Sequence, residues 1–449
     1  MARVVIVGAG PAGAGLALAL SRRAGVSVDL VEADPGGLGR FRGEGLMPSG
    51  LQALERLGVW PLPATVPQRA LSGWSFALDG QPLFEAPEPF ADGSCCRLID
   101  QPALLAHLLT QAQAAGCRLH SGQAVVALNQ AQGRVCGVEL ADGRRLAADL
   151  VVACDGRASS LRRLADLELV VDGDHPLTVL WFQLTGAGAE AIAATLDGRF
   201  LTCVGGGDSW ALFASVRGGL QLGWAESPGD AGGRRPGDGR GWLERWAAVA
   251  PPLLAAQLRA LEAEAVTGPN AQPLQVGLAP HWQRPGLLLL GDAAHPMSPL
   301  RAQGLSMALR DAVVADAGLG PLLAEREPAW EAALDPQPGG GTEGRSELER
   351  SELERTQLER TQLESRQRER TARAWADLDA AAAAVAATRS REIVAIQRHQ
   401  RQEAERAALL RRQGWLRALL RSLAPLTSEA IRRRWVREQD RLRHGLPLA

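Results

Sequence analysis

Apolar positions along this chain follow two periods, and the places where the period changes mark its elements. Arg3 to Val7 is a short apolar run of strand type, and Ala14 to Leu20 reads as a helix. Val28 to Val31 supplies a second strand, closed by Glu32. A helix is expected over LQALERLGV, and another opens at Gln101-Pro102, where proline suits a first helical turn. Residues 71–97 read as a strand pair. QAVVALN, GRVCGVELADG and RRLAADLVVACDG, with Gln-Gly and Asp-Gly turns, give an antiparallel meander that hands over to a buried strand, Leu150 to Ala153. Residues 177–226 read as four strands, an all-β block carrying Trp181, Phe182, Trp210, Phe213 and Trp224. A helical stretch from Trp242 to Leu261 follows. Leu287 to Leu290 is a continuous apolar strand, and Gly304 opens a helix with Leu305, Ala308, Leu309 and Ala312 on one face.

Beyond Leu323 the pattern changes. A Pro/Gly-rich, linker-like stretch leads into SELER-SELER-TQLER-TQLES, whose leucines (Leu348, Leu353, Leu358, Leu363) advance 140° net per repeat at about 100° per residue. They wind around the surface and make no stripe, so this is a solvated helix or a disordered insert. The remainder is helical and basic, with fifteen Arg against six Asp plus Glu from residue 389 on. Leu416, Leu419, Leu420 and Leu423 fall at i, i+3, i+4 and i+7, with Arg411, Arg412, Arg417 and Arg421 around them. Two readings stay open: packing on the protein's own body, or lying on an anionic membrane surface.

The chemistry lies at strand ends. Gly8, Gly10 and Gly13, with Ala9, Pro11 and Ala12 between them, form a GxGxxG turn between strand and helix, and Glu32 stands nineteen residues past Gly13. Glycines there permit a tight turn and close backbone approach to a pyrophosphate. The helix N-terminus offers unpaired N–H groups, and the terminal carboxylate can accept from ribose hydroxyls. Fifty glycines make a bare GxGxxG weak, but this one has the strand, the helix and the acid in place. Arg40 and Arg42 in the following loop are candidates for phosphate contact. Asp155 and Gly156 end one strand, and Gly291 and Asp292 end another, where open α/β sheets bind ligands. The aromatic block is either plain core or a wall over an apolar ligand.

Composition narrows this picture. Net charge is −1 over 449 residues, which gives no global reason to expect nucleic acid as a partner. The chain has no Lys and no Tyr, so every basic residue counted is Arg. Six cysteines with no CxxC and seven scattered histidines give no metal-ligand spacing, so no metal is expected; a reduced, cytoplasmic chain is. No leader precedes the first strand, and no apolar run approaches the ~18–20 residues that span a membrane.

GAGPAG near the start, DGRASSLR near 155 and GDAAHPMSPLRAQGLSMALRDA near 291 together resemble the single-component FAD-dependent aromatic hydroxylases, which share the para-hydroxybenzoate hydroxylase fold. The resemblance spans roughly residues 1–325. It implies an α/β fold, a Rossmann-type FAD/NAD(P)-binding domain (1–70, 97–170 and 270–325) with an inserted β-sheet substrate domain of α+β type (71–96 and 171–269). A linker or insert (326–370) and a C-terminal helical region (371–449) would follow. It further implies that Arg42 contacts FAD phosphate, Gln101 touches the flavin nucleotide, and Asp155 and Gly156 serve both FAD and a transient NAD(P)H. Asp292 would hold the ribityl chain, and Pro299, Gly304 and Leu305 would line the isoalloxazine.

The implied activity is NAD(P)H reduction of tightly held FAD, oxygen addition to the reduced flavin, and transfer of one oxygen atom from O2 to an apolar or aromatic small molecule. Three departures matter. Arg301 stands where the family has small residues. Without Tyr there is no tyrosine relay, and without Lys the flavin halogenases are excluded. RGEGLMPSGL also resembles squalene-type epoxidases. A flavin reductase of the geranylgeranyl reductase type, needing no oxygen, is the alternative, and a non-catalytic adaptor acting through the basic tail is a third reading.

Overall fold

The computed structural model describes residues 1–36, 43–171, 177–226, 237–274, 276–299, 302–325 and 347–445. Its helices are α1 Pro11–Ser21, α2 Pro48–Arg56, α3 Gln101–Ala114, α4 Ser160–Leu164, α5 Ala187–Leu196, α6 Gly239–Ala247, α7 Pro252–Arg259, α8 Gln303–Ala324, α9 Glu347–Arg412 and α10 Gly414–Arg443.

Two large sheets organise the fold. In the first, six strands lie in the order Gln283–Arg284, Leu287–Leu289, Leu150–Ala153, Ala2–Val7, Val26–Glu32, Arg118–Ser121. All neighbours are parallel except the hairpin at one edge. Val4 pairs with Val28 on one side and Leu150 on the other, so the amino-terminal strand is central. Both faces are covered, which is why these strands are continuous apolar runs rather than alternating ones. On one side α1 packs against α3 and α8; on the other the meander of Val125–Ala131, Arg134–Leu140 and Arg145–Ala147 closes the layer.

The second sheet has seven strands in the order Val266–Leu274, Leu177–Leu184, Leu220–Glu226, Asp208–Ala214, Arg199–Gly205, Gly73–Leu78, Gln81–Pro87. Alternation divides its aromatics. Phe182, Trp210 and Trp224 point to the side covered by α5–α7 and pack with Trp242 and Trp246, while Trp74 and Phe213 are buried on the opposite face. The aromatic block is thus core on one side and, on the other, a wall packed against Met47, Leu98 and Trp435.

Two expectations need correction here. The 177–226 block is not all β, because the run of small residues Ala187–Leu196 forms α5 between its first two strands. The boundary drawn at residue 270 falls inside Val266–Leu274, a strand of the second sheet whose Gly268, Pro269 and Pro273 hide its period.

The repeat from 347 is helical, the opening of the 66-residue α9. Leu378, Ala382, Val385, Ile393 and Ile396 of α9 join the main core, and Trp435 of α10 packs among Trp74, Phe76, Phe84 and Phe90. The C-terminal helices therefore pack on the protein's own body. The expected leucine stripe is split: Leu416 and Leu420 are half-buried, whereas Leu419 and Leu423 are exposed with Trp415 and Leu426. No helix among the described residues is long and apolar enough to cross a membrane.

Candidate functional site

The glycines show how closely the motifs meet. Gly8 has φ +100°, and a Cβ there would stand 2.3 Å from the Cys154 carbonyl oxygen; one on Gly13 would stand 1.9 Å from the Gly8 oxygen. A Cβ on Gly291 would lie 3.2 Å from that of Ala12. The turns at 8–13, 154–156 and 291–292 thus converge at the carboxyl ends of three adjacent parallel strands. Around Gly10, Gly156 and Gly304, by contrast, a Cβ would meet nothing within 4 Å.

The open turn fits a dinucleotide. Gly10 caps α1 without a side-chain hydrogen bond, Pro11 takes the first helical position, and the first turn has no acid. Its N–H groups and dipole are available to a phosphate. Ala9 and Ala12 are buried. Glu32 ends its strand beside this turn, accepting from the Ala9 N–H (2.8 Å) with one oxygen and the Asp34 N–H (2.8 Å) with the other. Arg40, Arg42 and Arg301 lie outside the described residues.

The second motif is braced from within. Asp155 accepts from Ser159 Oγ (2.5 Å), Ser160 N (2.7 Å) and Oγ (3.1 Å), and Leu161 N (3.1 Å). Its carboxylate holds the loop that opens α4, leaving Gly156 (φ +80°) at the open side. Arg162, buried, donates to the Ala293 carbonyl (2.7 Å) and the Arg157 carbonyl (3.1 Å), tying this loop to the third motif. Arg157 reaches Asp292 itself (2.9 Å), both about one-third exposed.

The third motif is a single 3-10 turn, Gly291–Ala293, followed by the loop into α8. Asp311 of α8, wholly buried, accepts from Gly291 N (2.7 Å), from His295 Nε2 (2.7 Å) and from Arg389 Nε of α9 (2.6 Å). Burial alone would raise the Asp311 carboxyl, but His295 and Arg389 outweigh it and hold the group down at about 2. His295 stacks on Trp282. Leu305 is buried, and Pro299 and Gly304 are partly exposed at the loop.

The segment before α2 joins the frame to the second sheet. Met47 N donates to Ser306 Oγ (3.1 Å) at the start of α8. Glu44, buried, accepts from Ser215 Oγ (2.6 Å), Gln221 Nε2 (2.8 Å) and Val216 N (3.0 Å), and burial pushes its carboxyl up. Gln101 is buried at the start of α3, beside the Asp100 cap and its Arg217 partner. Met47 and Ala302 pack with Phe213 and Trp181 of the sheet wall in one apolar cluster.

Sequence reasoning missed Arg162, Glu44, Asp311 and Arg389. A signal existed for Asp311, an acid at the edge of the helix face formed by Leu305, Ala308, Leu309 and Ala312. None existed for Arg389, one arginine among forty-nine basic residues. Among the described residues no group of His, Cys, Asp and Glu could hold a metal ion.

The FAD binding domain family matches residues 1–335. A 6-methylpretetramide 4-monooxygenase of Streptomyces rimosus is 32% identical over 329 residues, covering 70% of this chain and 73% of that protein. A kynurenine 3-monooxygenase of Salinispora tropica is 28% identical over 369 residues, covering 74% and 76%. In fold, a Klebsiella pneumoniae HpxO variant complexed with FAD superposes with a TM-score of 0.66 at 19% identity, covering 99% of this chain and 100% of that one. The chain belongs to the FAD binding domain family, with the para-hydroxybenzoate hydroxylase-like fold. It is an FAD-dependent oxidoreductase.

Proposed function

We propose that the protein uses NAD(P)H and O2 to place one oxygen atom on an apolar aromatic small molecule. The observation that carries this reading is the aromatic wall: the sheet face bearing Trp181 and Phe213 packs in one cluster with Met47 and with Ala302, just ahead of α8. The relatives named for aromatic substrates support it. Bound FAD supplies the redox chemistry and the reaction with oxygen.

The chain's own residues do the rest. The α1 N-terminus and the glycine turn hold the pyrophosphate, and Glu32 takes the adenosine ribose. Asp292 holds the ribityl hydroxyls, with Arg157 orienting its carboxylate. Arg162 ties the loops at 157 and 293 together and Asp155 braces its own loop, which leaves Gly156 as the position that a nicotinamide would meet. Gln101, Pro299, Gly304 and Leu305 shape the flavin pocket, and Arg40 and Arg42 are assigned to its phosphates. The apolar wall excludes water where oxygen is transferred.

The test is anaerobic addition of NADPH and NADH to the purified flavoprotein, then air with candidate arenes. Bleaching that reverses in air, with product carrying an atom from labelled O2, supports the reading. Bleaching with a reduced substrate and no oxygen incorporation replaces it with a reductase.

Six free cysteines fit a cytoplasmic setting. A second surface reading concerns α10. Trp415 (67% exposed), Leu419, Leu423 and Leu426 (82%) fall within about 80° of one another around the helix, a face suited to peripheral contact with an anionic membrane. Co-sedimentation with phosphatidylserine vesicles, lost in a Trp415→Ser/Leu426→Ser variant, checks it.

A further inference from the structure

We propose that Arg389, on the C-terminal helix α9, positions the Gly291–Asp292 turn for FAD by acting through Asp311, so that α9 completes a cofactor site whose own motifs all lie before residue 312. The inference rests on the FAD assignment of that turn and goes beyond it. Residue 389 also lies outside the segment matched by the family.

The geometry is a chain of direct bonds. Arg389 Nε donates to one oxygen of Asp311 (2.6 Å), and the other oxygen receives the Gly291 N–H and His295 Nε2 (2.7 Å each). Gly291 immediately precedes Asp292 and stands at φ +60°, where its N–H direction is set by this one carboxylate. Asp311 must be ionised to accept all three donors. A carboxylate with no exposed surface stays ionised only beside a compensating cation.

Arg389 is one of four charges in a balanced set. Arg389 and Arg310 face Asp311 and Glu392; Arg310 reaches Glu392 (2.9 Å), and Arg389 pairs with Glu392 as well. None of the four is more than 3% exposed, and the two guanidinium and two carboxylate charges cancel. Other polar neighbours come from each packed element. Cys154, on the adjoining strand end, is a thiol that burial keeps protonated, and Asp155 beyond it is held by Ser159 and Ser160. Arg162 is bonded to the Ala293 carbonyl. His444, the residue that caps α10, precedes Gly445, whose backbone lies by Arg310, and is itself paired with Asp92.

Removing Arg389 leaves one uncancelled negative charge in the core. The set then gains by taking up a proton on one of its two carboxylates. The folded, FAD-competent form would bind more protons than the unfolded one, so it weakens as pH rises. A residue that merely fills space would show no such slope.

The experiment is titration of apo-protein with FAD between pH 6 and 9, followed by flavin fluorescence, for protein purified at pH 6. Wild type should hold FAD with little change over this range. Arg389→Met should bind at least tenfold more weakly at pH 9 than at pH 6. Arg389→Met/Glu392→Gln, again balanced in charge, should lose that slope, and Arg389→Lys should restore near-normal binding. Equal loss by Arg389→Met at every pH, no loss at all, or a slope surviving in the double variant would overturn the proposal. If Arg389→Met does not fold, a double variant that folds and binds FAD supports charge balance; failure of both overturns a role at the turn. No step uses NAD(P)H or oxygen, so a wild type that binds FAD yet resists reduction sinks the oxygenase reading alone.

Discussion

Gly10 and Gly13 stand three positions apart and do different work. A methyl group on Gly13 would collide with the Gly8 carbonyl, whereas one on Gly10 would project into open space where a pyrophosphate would lie. Gly13→Ala should therefore prevent folding, while Gly10→Ala should melt within a few degrees of wild type and bind FAD at least tenfold more weakly. Melting curves and FAD titration on the two variants separate the effects. Asp292→Ala should likewise lower flavin content far more than Arg301→Ala, read from the visible absorbance of desalted protein. Asp311 carries a pH dependence of its own. Its folded value, about 2, lies below the ordinary 3.8, so its contribution is fully present above about pH 4 and disappears as pH falls toward 2. That contribution is on the order of 2 kcal/mol. Asp311→Asn should lower the melting temperature at pH 7, and its deficit should shrink below pH 3.

Elements read well from sequence where one environment acts along their whole length. The central strands are buried on both faces and spell continuous apolar runs; α8 shows its apolar face; the hairpin at 73–87 alternates. The failures have equally local causes. The small residues of α5 carry little hydrophobic signal, and the proline-bearing Val266–Leu274 lacks a period, being specified by its neighbour Leu177–Leu184. The motif turns were legible because glycine at fixed spacing is a backbone requirement. The bracing was not, since Asp311 and Arg389 meet across 78 residues and only the tertiary fold brings them together. The helical layer over the second sheet offers a separate check. Trp246 is fully buried against Phe182 and Trp242, so Trp246→Ala should cost about 3–5 kcal/mol in denaturant unfolding. It lies on the sheet face opposite Phe213 and Ala302, and the FAD affinity of the folded fraction should stay near that of wild type.

At the scale of the molecule, the first sheet is assembled from distant pieces of chain. Its central strand is residues 2–7, and its neighbours arrive at 26, at 150 and, one strand further out, at 287. The C-terminal helices then close over α8. A chain ending at residue 325 would keep every motif of the resemblance and lose Arg389, together with the α9 side chains packed in the core. It should be recovered without flavin, as absorbance at 450 nm would show. The sheet order also sets a timetable for synthesis. At about 5–20 residues per second, a ribosome needs roughly 15–60 s to pass from the first strand to the one that completes its side of the sheet. Until then the sheet keeps an open edge outside the tunnel, first on residues 2–7 and, once residues 150–153 have paired with them, on that second strand. The newborn chain gains from shielding of that edge through the interval, and flavin should enter late, once α9 has packed on α8.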